Sequence, residues 1–355
     1  MSLDRFNQLL AEALERGASD LHLIADLPPV LRVNGEIFPL PAAPLAAAEL
    51  NALAAVLLTP EQRAAFDRDG ELCATLPCPR VGRVRVTVYR RAGHPEFSLR
   101  LLDEEIPGRE ELGLPAKLEE LARRPVGLLL ITGPAGSGKT TTLNYLVDLL
   151  NTERRCKIVT IEDPIEFVHR SKRAVVVQLE VLTDTPSFPR ALVHVLRQDP
   201  DVIAIGEMRE REAIATALTA AETGHLVLAT LHSPSVAHAL ERIIGAFEGA
   251  AQRQVLLQLA SCLQGIISQE LLPSVDRARR TLAYELLVAT GAVRNLIREN
   301  QLHLLETTLQ TGAKDGMVLF DNCLYELYCR CQISYDVALS RARRPERITK
   351  TGNAV

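Results

Sequence analysis

No stretch of about 18 uninterrupted apolar residues runs through this 355-residue chain, which excludes an ordinary transmembrane helix. The opening segment, Met1 to Arg16, carries Asp4, Glu12 and Glu15 around no apolar centre. It does not read as a secretory signal, and a protein kept in the cytoplasm is expected. Lys and Arg are nowhere densely clustered except between Arg341 and Lys350, and the net charge is -4 with a pI near 6.1. Nucleic acid as the main partner would call for a basic stripe, so that class is disfavoured. The 7 cysteines are odd in number, scattered and without a CxxC pair. A disulfide framework and a zinc site are both disfavoured. Trp is absent as well, which diagnoses nothing.

What is present is a soluble, folding composition, 47% hydrophobic and 24% charged, in a chain long enough for two domains. Phe6, Leu9, Leu10, Ala13 and Leu14 follow helical spacing up to Gly17. Val30 to Val33 runs into Asn34-Gly35, a dipeptide favoured in two-residue hairpins. Thr59-Pro60-Glu61-Gln62 is a capping box, predicting a helix toward Gly70. Val84, Val86 and Val88 alternate with Arg83, Arg85 and Thr87 as in a strand buried on one face, and Phe97 to Leu101 reads as another. Residues 1–102 therefore form a small α+β domain. Pro and Gly then interrupt residues 103–125, expected as a linker carrying one short helix. All-apolar strands at Gly127 to Thr132, Lys157 to Ile161, Val202 to Ile205 and Leu226 to Leu231 alternate with helices, implying a mostly parallel sheet over residues 126–290. A helical region over 291–343 and a disordered tail over 344–355 complete the expected organisation.

Gly133-Pro134-Ala135-Gly136-Ser137-Gly138-Lys139-Thr140 matches GxxxxGK[ST] between an apolar strand and a helical run starting at Thr141. Its glycines allow backbone N–H groups to turn in around phosphate oxygens, and the helix start adds its positive dipole end. Lys139 is expected on the β- and γ-phosphates and the Thr140 hydroxyl on Mg²⁺, so ATP and Mg²⁺ are the implied ligands.

Hydrolysis needs more than a cradle. The strand Val202 to Ile205 ends in Gly206-Glu207 where Asp-Glu is usual, and Glu207 is the candidate general base. Gly206 leaves the metal short of a carboxylate; Glu162, in Ile161-Glu162-Asp163-Pro164-Ile165-Glu166, is the candidate to supply it, with Glu166 in support. His225 and His232 bracket the strand Leu226 to Leu231. His232, at the carboxyl end where ligands bind in parallel sheets, is the stronger candidate.

In this order the elements resemble the secretion ATPases that power type II secretion and type IV pili. Gly17-Ala18-Ser19-Asp20-Leu21-His22-Leu23 resembles the amino-terminal signature of that family. Residues 133–140 resemble its Walker A loop, Thr160 to Phe167 its Asp box, Arg197 to Arg209 its atypical Walker B, and Gly224 to Ser233 its His box. The resemblance implies an α/β fold. Its RecA-like P-loop ATPase domain, with a mostly parallel sheet, is preceded by a PAS-like α+β domain and followed by carboxyl-terminal helices. It further implies a homo-hexamer in which arginines of one chain reach the neighbour's γ-phosphate. Arg85 and Arg100 fall where those arginines lie, and Arg197 and Arg242 match others near the nucleotide.

Within the family, the stretch from Gln264 to Tyr284 lacks the four-cysteine module usual in assembly and secretion members. Ala292 to Glu299 resembles a segment associated with pilus retraction. The retraction branch implies coupling of ATP hydrolysis to pilin disassembly and twitching motility. It also implies partners at the pilus base and an inner-membrane platform protein, met at the cytoplasmic face without membrane insertion. Gly245-Ala246-Phe247-Glu248 and Leu179-Glu180-Val181-Leu182 depart from common retraction sequences, so an accessory retraction ATPase also fits. An extension or secretion ATPase, a regulatory ring that binds ATP with little turnover, and a nucleic-acid translocase are the competing readings.

Overall fold

Apolar side chains collect into separate cores in two units of the computed structural model, which describes residues 1–33, 35–79, 81–102, 105–276 and 280–349. One unit is Met1–Glu105 with Pro164–Val168; the other is Ile106–Asp163 with His169–Val355.

The first unit runs α1 (Leu3–Glu15), β1 (Asp20–Leu23), β2 (Val30–Val33), β3 (Glu36–Pro39), α2 (Ala47–Leu57), α3 (Pro60–Asp69), β4 (Glu71–Cys78), β5 (Gly82–Arg91) and β6 (His94–Leu101). Its strands form one sheet in the order β3-β2-β1-β6-β5-β4, antiparallel throughout. The alternation read from β5 has its physical basis here. Val84, Val86 and Val88 are buried with Phe97 and Leu99 beneath Phe6, Leu10, Leu53 and Phe66. At the start of α3 the Gln62 N–H donates to Thr59 Oγ1 at 3.2 Å and the Thr59 N–H to Gln62 Oε1 at 3.1 Å. Val33 pairs with Glu36 across the β2–β3 connection; Asn34, expected in its turn, lies outside the described residues.

The second unit runs α4 (Arg109–Leu112), α5 (Ala116–Ala122), β7 (Gly127–Thr132), α6 (Lys139–Glu153), β8 (Lys157–Glu162), β9 (Val175–Glu180), α7 (Phe188–Val195), β10 (Val202–Ile205), α8 (Arg211–Glu222), β11 (Leu226–Leu231), α9 (Val236–Gly245), α10 (Gly249–Cys262), β12 (Leu263–Pro273), β13 (Arg280–Val288), α11 (Gly291–Arg298), α12 (Leu305–Thr311), α13 (Phe320–Cys329) and α14 (Tyr335–Arg341). The sheet order is β13-β12-β7-β11-β10-β8-β9, parallel except for the antiparallel partner β13 at one edge. Every residue of β7, β10 and β11 is buried, as strands covered by helices on both faces require. Each fully buried Leu or Ile there contributes about 2 kcal/mol.

Two expectations are corrected. Residues 106–125 are not a linker with one helix: α4 and α5 form, and Leu114, Leu118 and Leu121 are buried in the second unit's core. The tail does not become disordered at 344. The backbone N–H groups of Arg343 and Arg344 each donate at 2.9 Å to one oxygen of the buried Asp321 carboxylate. Pro345–Arg347 then makes a 3-10 turn and Ile348 is buried. Residues 350–355 lie outside the described residues.

Candidate active site

The loop after β7 can turn so tightly because Gly133, Gly136 and Gly138 hold φ values of 148°, 73° and 85°, which side chains other than glycine rarely adopt. At Gly133 a Cβ would also collide with Gln269 O and Ser137 Oγ. Pro134, Ala135 and Gly136 are exposed, Ser137 and Lys139 buried, Thr140 and Thr141 half-buried on the first turn of α6. Ser137 Oγ is buried without a hydrogen-bond partner among the described residues, and so is Gln269 Oε1 behind it. The Ser137 hydroxyl can donate, so it suits a phosphate oxygen at this cradle, whereas Gln269 Oε1 only accepts and calls for a donor instead.

Lys139 Nζ donates to Gly133 O at 3.0 Å and Pro134 O at 2.8 Å. It also lies 3.4 Å from His232 Nδ1. An ammonium has only donors, so Nδ1 accepts and the imidazole carries its proton on Nε2. Nε2 in turn is 3.4 Å from Glu207 Oε2. Burial, then the Lys139 charge, lowers the His232 pKa below 6.5 although Glu207 opposes this, so the neutral ring is favoured. Burial likewise lowers the pKa of Lys139. Arg209 pairs through Nε with Glu207 Oε1. The strand ends explain the meeting: β7, β11 and β10 are neighbours, and Lys139, His232 and Glu207 each follow a carboxyl end. Thr132 Oγ1 ties two of these ends together, donating to Ser233 O at 2.8 Å and accepting from Ser233 N at 3.0 Å. Arg242 Nη1 donates to His232 O at 2.7 Å.

Gly206 sits against β8. Its N–H donates to Ile161 O at 2.8 Å, and a Cβ there would stand 3.1 Å from that oxygen and 3.3 Å from Glu162 Cα. The usual Asp is missing where a side chain would push on the neighbouring strand. Glu162 ends β8, buried; its Oε1 accepts from Thr160 Oγ1 at 2.6 Å and from Gln178 Nε2 at 2.9 Å. Glu166, expected to support Glu162, pairs with Arg85 at 2.8 Å within the first unit. His225 stands at the opposite end of β11, where Nδ1 is 3.0 Å from Ala220 O.

Arg85 and Arg100 belong to the first unit, opposite each other on β5 and β6. Arg100 Nε pairs with Asp20 Oδ1 at 2.9 Å, its neighbour on β1. Sequence reasoning assigned no role to Arg209, nor to Gln178, His169 and Asn144, whose bonds lead from Glu162 back to α6. Asn144 was within reach of a pattern argument, lying four residues after Thr140 on one helix face. His169 was not, because only the fold carries the loop after β8 to α6.

The chain matches the family described as type II/IV secretion system protein over residues 3–317. It is 41% identical to the type IV pilus retractation ATPase PilT of Pseudomonas aeruginosa, the match covering 96% of this chain and 98% of that protein. It is 38% identical to the type IV pilus ATPase PilU of the same species, over 95% of this chain and 88% of the relative. A crystal structure of the pilus retraction motor PilT with bound ADP superimposes with a TM-score of 0.89 at 42% identity, covering 96% of this chain and 97% of the other.

Proposed function

This chain belongs to the type II/IV secretion system protein family, and from that premise we infer that it is an ATPase driving type IV pilus retraction. The observation that carries the reading is the continuous chain Lys139, His232, Glu207 at three adjacent strand ends beside the glycine-rich loop. Lys139 binds the terminal phosphates of ATP, together with the backbone N–H groups of residues 133–141 other than Pro134, which has none. Glu207 takes a proton from the attacking water, and His232 holds the Glu207 carboxylate in line.

Mg²⁺ is the expected companion of the nucleotide. The Thr140 hydroxyl and the Glu162 carboxylate are hard oxygen donors of the kind it takes alongside phosphates and water. No cluster of three or more His, Cys, Asp or Glu suited to a metal occurs among the described residues, so a site completed by the nucleotide itself fits this donor set. When bound, the ion neutralises charge building on the phosphates. Thr140, on the first turn of α6, and Glu162, at the end of β8, are the residues that would hold it.

The ring is a homo-hexamer in this reading, with Arg85 and Arg100 of one subunit completing the next subunit's site. Closure of each interface then does work on a platform protein at the base of the pilus. No described helix is long and apolar enough to cross a membrane, so contact with the inner membrane would run through that partner. Two measurements test this. Phosphate release by the wild type should exceed that of Glu207→Gln by about 100-fold or more; equal rates would leave a regulatory ring instead. Deletion in the host should give hyperpiliated, non-motile cells, whereas bald cells would indicate extension.

A further inference from the structure

Four hydrogen bonds run from the Thr140 turn of α6 to the Glu162 carboxylate. Asn144 Nδ2 donates to Thr140 O at 2.9 Å, and Asn144 Oδ1 lies 2.7 Å from His169 Nε2. The His169 N–H donates to Gln178 Oε1 at 2.7 Å, and Gln178 Nε2 donates to Glu162 Oε1 at 2.9 Å. The directions are forced. Asn144 uses its amide nitrogen on a helix carbonyl, so its oxygen accepts and His169 carries its proton on Nε2. The His169 backbone N–H can only donate, so Gln178 turns its oxygen to His169 and its nitrogen to Glu162. With Thr160 Oγ1 at 2.6 Å on the same oxygen, Glu162 Oε1 receives two donors. Asn144, His169 and Glu162 are buried, where a polar group keeps such partners because the alternative is an unpaired atom away from water.

We propose that Gln178, backed by His169 and Asn144, is a positioning residue that sets the orientation of the Glu162 carboxylate relative to the Thr140 turn, and thereby the turnover rate. The proposal rests on Glu162 acting in hydrolysis. The relay spans two elements, β8 and α6, that carry the two candidate Mg²⁺ ligands, so a loosened relay changes their spacing without removing either donor. Leu in place of Gln178 keeps the volume and deletes both bonds.

The test compares Gln178→Leu, His169→Gln, His169→Leu and Glu162→Ala, with Gln178→Leu also placed in the Glu162→Ala background. Gln178→Leu should lower kcat by about 10-fold or more, with KM for ATP and the affinity for fluorescent ADP in EDTA within about 2-fold of wild type. The gain in ADP affinity on adding Mg²⁺ should shrink. His169→Gln, which retains an N–H donor toward Asn144, should lie nearer wild type than His169→Leu. In the Glu162→Ala background Gln178→Leu should cost nothing further, as a residue acting through Glu162 requires. Equal loss of ADP binding with and without Mg²⁺, or an undiminished effect in that background, would overturn the positioning role. Unchanged turnover in Glu162→Ala would instead sink the reading of Glu162 itself, while loss there with wild-type kcat in Gln178→Leu would sink only the relay.

Discussion

His232 stands between the two charges of the site, Nδ1 at 3.4 Å from Lys139 Nζ and Nε2 at 3.4 Å from Glu207 Oε2. One neutral ring thereby connects the Lys139 ammonium to the candidate base. Nδ1 must accept and Nε2 must donate, so a second proton on the ring would set an imidazolium against an ammonium.

Acid should therefore weaken this site first. The folded His232 pKa lies below the ordinary 6.5, because of burial and then Lys139. Below about 6.5 the unfolded chain binds more protons at this residue than the folded chain, so its stability contribution is present above that pH and is lost as pH falls. Denaturant titrations between about pH 5 and 7.5 should show wild type losing more stability on acidification than His232→Asn. Turnover should fall over the same range in wild type. Parallel stability curves for the two proteins would contradict the assignment.

Lys139→Ala and Glu207→Gln should separate binding from chemistry. In the proposed role Lys139 binds phosphate in ground and transition states alike, so its loss should weaken nucleotide affinity by about 10-fold or more. Glu207→Gln keeps the shape and the hydrogen bond from His232 but removes the proposed base. ADP affinity should stay within about 3-fold while single-turnover hydrolysis slows by about 100-fold or more. Equilibrium binding and rapid quench measure the two; a reversed pattern would exchange the roles.

Gly206 is confined by space rather than by φ. A Cβ would lie 3.1 Å from Ile161 O and 3.3 Å from Glu162 Cα, both backbone atoms that move only with the strand. Restoring the usual acid with Gly206→Asp should therefore harm the enzyme, costing about 1–3 kcal/mol in stability and lowering turnover by displacing Glu162. Gly206→Ala should show the milder form of the same defect. Calorimetry and phosphate release check both, and a Gly206→Asp variant more active than wild type would contradict the steric account.

Local patterns carried the legible part of the fold. The loop at 133–140 and the cap at Thr59 are contiguous, and the alternation in β5 and the apolar runs of β7, β10 and β11 need only periodicity. The retraction-like fold and the candidate residues Lys139, Glu207 and His232 rest on such stretches. β9 and β12 escaped for physical reasons. β9 is a half-buried edge strand without clean alternation, and β12 follows α10 at Cys262-Leu263 with no Gly or Pro to mark the change. Nor could order from residue 343 onward be read from a run of charges, because the partners of Arg343 and Arg344, namely Asp321, Glu285 and Glu306, are distant in sequence.

Arg85 offers a planar fork, always charged, suited to phosphate oxygens, and it pairs with Glu166 at 2.8 Å. Trans action by a neighbour's arginine predicts a defect visible only in assembly. Arg85→Ala should lower turnover of the assembled ring by about 10-fold or more and leave nucleotide binding by isolated subunits unchanged. Mixing the variant with Lys139→Ala subunits should restore some activity, since each supplies what the other lacks. Weakened binding in isolated subunits would rule out the trans role.

Arg343 links the carboxyl-terminal segment to the loop that follows His232. Its Nη1 donates to Glu285 Oε1 at 2.6 Å and its Nη2 to Pro234 O at 3.2 Å, while the guanidinium lies 5.1 Å over the Phe320 ring. Glu285 is only 2% exposed and also accepts from the Val236 N–H at 2.9 Å, at the start of α9. Arg343→Ala leaves that buried carboxylate without its counter-charge, a change that costs about 3–5 kcal/mol. Arg343→Met with Glu285→Gln removes both charges and keeps the volume, so it should recover most of the loss. If the contact also steadies the His232 loop, the double variant should regain stability before it regains turnover, because Pro234 O still lacks its donor. Thermal melting and phosphate release on the three proteins decide this. A single variant as stable as wild type would mean that water, not Arg343, satisfies Glu285.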